Sequence, residues 1–227
     1  MQRLLYLVLG APDSGRRAIV QDLIDGGLTD KESALTHTNE ESHDMKGFTS
    51  WHWENDTFQI PEETNESQAT HQFLIFSPYL DLAEQIEASL DLLDADEGIT
   101  LARILFVVHC GLLEKISPQL QEWHDACAHF ADIALLNRRE GVNRKLIEEF
   151  KVRYESMRMP FLVENVRKDR IANPAIILDL TPRRISQVFD LEEDLDSDLT
   201  DPYLERLPTG ERAKRIPLPF GEPLSSS

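Results

Sequence analysis

The sequence predicts an α/β fold of three layers, a mostly parallel sheet with helices on both faces. Three observations lead there. Short, almost wholly apolar runs recur along the chain, as strands covered on both sides do. They alternate with stretches whose apolar residues repeat at helical spacing. At the start of the chain an apolar run, a Gly-bounded loop and an amphipathic stretch follow one another directly.

The first strand is read at Leu4 to Leu9, and Gly10-Ala11-Pro12-Asp13-Ser14-Gly15-Arg16-Arg17 follows it. Two glycines at that spacing, between a strand and a helix, are the backbone pattern of a phosphate-binding P-loop. Ile19, Val20, Leu23 and Ile24 mark the helix, and Gly26-Gly27 read as its left-handed C-terminal cap. Residues 28–70 then turn polar and read as an excursion carrying a small hairpin. In that hairpin Trp51, Trp53, Phe58 and Ile60 alternate about a turn at Glu54-Asn55-Asp56. A second strand is expected at Gln72 to Phe76, then a helix marked by Leu82, Ile86, Leu90 and Leu93. A third strand follows at Arg103 to Val108. Ser117-Pro118 opens the next helix, a capping hydroxyl with Pro at the first helical position. A strand at Ile133 to Leu136 leads to a helix opened by Asn143, with Leu146, Ile147, Phe150, Tyr154 and Met157 turned inward. Phe161 to Val166 reads as a fifth strand, and Ala175 to Leu180 fits a sixth strand or a short helix equally well. These assignments give a P-loop NTPase-like domain over residues 1–189. Residues 190–227, acidic at Glu192-Glu193-Asp194 and later Pro-rich, read as a mostly mobile tail that docks a few groups such as Tyr203 and Phe220.

Composition narrows the function classes. The 227 residues carry a net charge of -18, which disfavours broad contact with nucleic acid or an anionic membrane. Only Cys110 and Cys127 occur, too few for a disulfide framework and suited to a reducing cytosol. No run approaches membrane-spanning length, so the chain reads as cytoplasmic. His124, Cys127 and His129 sit at helical offsets that do not share one face, which argues against a zinc site. The two cysteines read as small buried apolar residues.

Two constellations carry chemistry. Gly10, Asp13, Ser14, Gly15, Arg16 and Arg17 are the candidate phosphate site, although Arg16 stands where a P-loop has Lys and Arg17 where it has the magnesium-binding hydroxyl. Arg16 keeps a charge and a fork able to grip phosphate. Asn137, Arg138 and Glu140 are the candidate base site: an amide for the base edge, a long stem to cover the ring and a two-oxygen acceptor. Each pattern has a plainer reading, a strand-to-helix turn without ligand in the first case and a turn of solvated charges in the second.

Gly10 to Arg17, Leu74 to Ser77, Val107-Val108-His109 and His129-Phe130-Ala131-Asp132-Ile133-Ala134-Leu135-Leu136-Asn137 together resemble the CobW/HypB/UreG family of P-loop GTPases and metallochaperones. The resemblance runs from about Met1 to Ile177 as an order of elements and letter by letter only in the last stretch. It implies GTP at Gly10, Gly15, Arg16 and Asn137, with Glu140 close to the family's base-reading Asp. The chain departs from the family at Arg16 and Arg17, at Phe76 where an acid is usual, and at His109 where an Asp is. It has no Cys-x-Cys-Cys segment after the first helix, so metal delivery does not carry over. With those oxygens replaced, magnesium lacks its usual ligands. Asp13, Ser14, Ser77 and Asp81 are the substitutes at hand, and no catalytic residue or metal site is assigned.

The leading expectation is a degenerate GTPase-like protein that binds a purine nucleotide, GTP before ATP, with weak or no hydrolysis. The competing one is a pseudo-GTPase scaffold that binds no nucleotide and meets a protein partner through Trp51 and Trp53 or the tail. The first requires that an anion reach the loop amides. An Arg16 or Arg17 guanidinium folded into the cradle and neutralised by an internal carboxylate counts against it.

Overall fold

The computed structural model describes residues 2–40, 45, 47–61, 69–190 and 201–221. Its centre is β1 (Arg3–Gly10), whose last six residues are all buried. β1 pairs in parallel with β6 (His71–Ile75) on one side and β7 (Ile99–His109) on the other. Outward from β7 lie β8 (Ile133–Asn137) and β9 (Leu162–Asn165), and outward from β6 lie β2 (Ala34–Thr38) and β3 (Phe48–Ser50). Every pairing in this seven-stranded sheet is parallel. Parallel strands need crossovers, and helices on both faces supply them. The result is a three-layer α/β fold, a parallel sheet with helices on both faces.

Alternation along β1 divides the core. Leu5, Leu7 and Leu9 face a cluster shared with α2 (Leu82–Asp94), α3 (Pro118–Phe130) and α4 (Arg144–Ser156). Tyr6 and Val8 face the other, with α1 (Arg16–Gly27) and the short α5 (Pro174–Leu178). Helix starts follow their capping residues. Asp81 accepts from the amides of Ala83 and Glu84, Ser117 from Leu120 and Asn143 from Lys145, each satisfying an amide that has no intrahelical partner.

Five features differ from the sequence reading or complete it. The stretch read as a polar excursion contributes β2 and β3 to the main sheet. Thr36, His37 and Thr38 are buried there despite their polarity, because β2 is paired on both sides. The two threonines, being β-branched, fit the pleated surface, and His37 Nδ1 meets Thr49 Oγ1 at 2.9 Å. The expected hairpin is present beyond them as β4 (His52–Glu54) and β5 (Thr57–Gln59), with Asn55 and Asp56 both at positive φ in the turn. Gly26 and Gly27 do not form a left-handed cap, since the helix passes into an extended Leu28. Gly27 serves close approach instead: a Cβ there would stand 2.6 Å from Leu178 Cδ1 and 3.0 Å from Pro174 Cβ. Met157 closes α4 at 42% exposure rather than turning inward, and the stretch from Ala175 to Leu180 is helical as far as Leu178, as part of α5.

Trp51 is buried and donates through Nε1 to the Ile75 carbonyl at 3.0 Å. It meets Trp53 and Phe58 edge-on, and Phe58 continues to Phe76. Residues 192–194 lie outside the described residues. Residues 201–221 lie against the body: Tyr203 against the rings of His129 and Phe130, Phe220 edge-on to Trp123 at 5.2 Å. Glu87 on α2 takes both Arg206 and Arg212. Asp201 accepts from Ser186 Oγ at 2.6 Å and pairs with His129 Nε2 at 2.7 Å.

Burial also fixes charge. Cys110 is pushed up to about 12 and Cys127 well above the thiol range, both by desolvation, so these thiols are inert core atoms. Burial lowers His37 and His124 from the ordinary 6.5 to about 4. The unfolded chain therefore binds protons in that window that the folded chain refuses. Unfolding free energy is expected to fall as pH drops from 6.5 toward 4, by roughly 3 kcal/mol for each histidine at full titration. Urea unfolding across that range checks this, and a His124→Phe chain should show a shallower slope.

A second expectation concerns Asp132, wholly buried between two faces of the fold. It accepts from the amides of Ile104 and Arg183 and takes Arg184 NH1 on both oxygens. Asp132→Asn leaves that guanidinium with Asp190 alone, so a loss of about 3–5 kcal/mol is expected, read as a lower urea midpoint.

Candidate functional site

In a parallel sheet the loops that leave the strands' C-terminal ends lie side by side, which is where open α/β sheets take ligands. Here those ends are Gly10 of β1, Phe76 beyond β6, His109 of β7 and Asn137 of β8. A cleft of about 770 Å³ opens above them, lined by the loop from Pro12 to Ala18 together with Glu40, Met45, Tyr79, His109 and Arg138.

The loop from Gly10 to Gly15 takes its course for identifiable reasons. Gly10 passes so close to β7 that a Cβ would stand 2.6 Å from the Val107 carbonyl oxygen. Gly15 sits at φ 90 as the N-cap of α1 and offers no side-chain bond. The first-turn amides of α1 therefore face the cleft without a side-chain acceptor, the state in which a helix start attracts anions. Asp13, at φ 55, projects outward. Ser14 is fully buried, and its Oγ has no hydrogen-bond partner among the described residues.

The two candidate constellations meet. Asn137, buried at the end of β8, donates through Nδ2 to the Ser14 carbonyl and to Asp169 Oδ1, both at 2.7 Å. Arg138 donates through Nε to the Asp13 carbonyl at 3.1 Å and through NH1 to Asp169 Oδ2 at 3.0 Å. The base-site candidates thus hold the candidate phosphate loop directly, across more than a hundred residues of chain. Glu140 stands exposed one turn farther out. Arg139 is turned away, to Asn165 and the Val166 carbonyl.

The arginines of the loop are engaged. Arg16, 2% exposed, donates through NH1 to the Phe76 carbonyl at 2.6 Å and through NH2 to Glu40. Arg17 Nε reaches the other oxygen of Glu40 at 3.0 Å. Burial lowers the Arg16 pKa, and Glu40 works against that. At Phe76, where the chain departs from the family it resembles, the backbone oxygen holds a guanidinium. Of the four substitute magnesium ligands, two are otherwise employed: Asp81 caps α2, and Ser77 is bound through its amide and carbonyl to Gln85. Among the described residues no group of three or more His, Cys, Asp or Glu side chains could hold a metal ion.

Sequence reasoning missed Glu40 and Asp169. Glu40 stands in no motif spacing, and its role exists only because β2 ends beside the loop. Asp169 lies in a Lys168-Asp169 turn at positive φ, which in sequence reads as solvated charge.

No protein-family model matches the chain, and none of the curated proteins matches it. Among solved structures the chain is similar to a Zn(II)-bound YjiA GTPase from E. coli. The identity is 10%, over 81% of this chain and 67% of that one, with a TM-score of 0.44.

The contact between the loops gives a stability test. A Cβ at Gly15 would meet Asp169 Oδ1 at 2.4 Å and Asn137 Nδ2 at 2.6 Å, whereas one at Gly141, also at positive φ, meets nothing within 4 Å. Gly141→Ala is expected to cost about 1 kcal/mol from backbone strain alone, and Gly15→Ala about 1–3 kcal/mol more. Equal urea midpoints for the two variants would show that the loops do not touch.

Proposed function

We propose that this cleft binds a purine nucleotide, GTP before ATP, with little or no hydrolysis. The observation that supports this best is the direct tie of Asn137 and Arg138 to the carbonyls of Ser14 and Asp13, because a ligand with a base at one end and phosphates at the other needs both loops on one cleft. Gly10, Ser14, Gly15, Arg16 and Arg17 would hold phosphates. The stem of Arg138 would cover the ring, and Asn137 and Glu140 would meet its edge, with Asp13 at the rim. A volume near 770 Å³ lies within the range of small-ligand sites. Weak hydrolysis follows from the groups around the loop: without a hydroxyl at 17 or an acid at 76, charge developing on a transferred phosphoryl group meets no metal held by the protein.

A second reading, a pseudo-GTPase scaffold without nucleotide, is favoured by the pairing of Arg16 and Arg17 with Glu40. This is the internal neutralisation that counts against an anion reaching the loop. Against it, the cleft in front of the loop stays open and the helix start uncapped.

Thermal unfolding separates the two. Millimolar GTP, GDP and ATP are each added with and without magnesium, since a ligand that binds only the folded state stabilises it by about 2.7 kcal/mol at a hundred times its Kd. The nucleotide reading expects a rise with GTP that does not need magnesium and is lost in Gly15→Val. No rise with any of the three selects the scaffold, and steady phosphate release with magnesium overturns the weak-hydrolysis part.

A further inference from the structure

Glu40 bridges two guanidinium groups with its two oxygens, Arg16 NH2 on one and Arg17 Nε on the other. It does so beside the uncapped start of α1, on the wall of the cleft. Two guanidinium donors converging on one anion at a helix N-terminus is the arrangement that recognises a phosphate oxygen pair. Arg16 is deeply buried with Glu40 as its paired carboxylate, so a ligand that displaces Glu40 does so at least cost when it brings an anion of its own. Glu40 itself is 26% exposed and lines the cleft, where it meets an entering ligand.

A second observation lies on the same loop and is independent of that pairing. The fully buried Ser14 Oγ has no partner. It lies on the inner side of the loop, since a Cβ at Gly10 would stand 3.0 Å from it and 3.1 Å from Arg16 Cδ. A buried hydroxyl of this kind is a donor awaiting an acceptor. The Phe76 carbonyl, where a dication would seek oxygen, already holds Arg16 NH1, and a fixed guanidinium there repels a second cation.

We infer that Glu40 is an internal stand-in for phosphate, and that the ligand of this cleft is a metal-free di- or triphosphate group that binds by exchanging with Glu40 on Arg16 and Arg17. This rests on the nucleotide reading for the cleft's base end only; the exchange concerns the phosphates. Glu40 thereby sets the affinity. It keeps the two arginines neutralised when the cleft is empty and competes with every anion that enters.

The test is calorimetric titration of the full chain with inorganic pyrophosphate in EDTA, then with excess magnesium, for the native protein, Glu40→Gln and Arg17→Ala. Removing the competing charge is expected to tighten pyrophosphate binding about tenfold or more in Glu40→Gln. Arg17→Ala should bind more weakly than native, and magnesium should weaken binding in all three by sequestering the free anion. Circular dichroism checks that each variant is folded. Should Glu40→Gln not fold, Glu40→Asp, which keeps the charge but draws it back by one methylene, must show tightening instead. Equal or weaker binding by a folded Glu40 variant overturns the exchange, as does binding that requires magnesium or no pyrophosphate binding by any chain. Parallel titrations with GTP keep the two ideas apart. Tighter pyrophosphate binding in Glu40→Gln with no GTP binding leaves the exchange standing and removes the nucleotide reading. GTP binding equally well to both chains does the reverse.

Discussion

A close backbone crossing organises this molecule. The chain leaves β1 at Gly10 directly against the Val107 carbonyl of the neighbouring strand, where a Cβ would be 2.6 Å away. Only a residue without a side chain passes there, and the crossing sets where the loop turns and where α1 begins. Because the strands are all parallel, the ends of β1, β7 and β8 stand in a row, and His109 pairs in register with Asn137. Position in the sheet thus brings residue 14 under residue 137, and hydrogen bonds of ordinary length hold them.

Buried cations are the second theme. Arg16, Arg103 and Arg184 all lose their contact with water in a chain whose net charge is -18. Each is held differently. Arg103 reaches only carbonyls, those of Ile176 and Thr181, and so fixes α5 and its continuation beneath the sheet. Arg184 is held by Asp132 and Asp190. Arg16 shares a carboxylate that is itself partly in solvent. The first two arrangements have every reason to be permanent, because removing a partner strands a charge in a low-dielectric interior. Arg16, by contrast, depends for its counter-charge on a carboxylate that lines the cleft.

Much of the architecture was legible in sequence, and the reasons are local. Leu4 to Leu9, Arg103 to Val108 and Ile133 to Leu136 are apolar runs bounded by turn residues, and Ser117-Pro118 and Asn143 announce their helices chemically. β2 was not legible, since Ala34-Leu35-Thr36-His37-Thr38 looks like loop until neighbours on both sides bury it. Gly26-Gly27 misled because a glycine at a helix end can serve conformation or proximity, and only the position of Leu178 decides between them. At the site, Gly10 and Gly15 were readable from spacing. The engagement of Arg16 with Phe76 and Glu40 was not, because it depends on where two other strands end.

The segment beyond residue 200 has a further consequence for how the protein is made. Arg212 meets Glu87 across 125 positions, and His129 meets Asp201 across 72, while Phe220 covers Trp123. During synthesis the helices of that face emerge long before the groups that cover them. A nascent chain therefore carries bare aromatic surface on its way out of the ribosome, the condition in which partly folded chains stick to one another. Chaperone demand would fall on that interval of translation rather than on the assembly of the central strands.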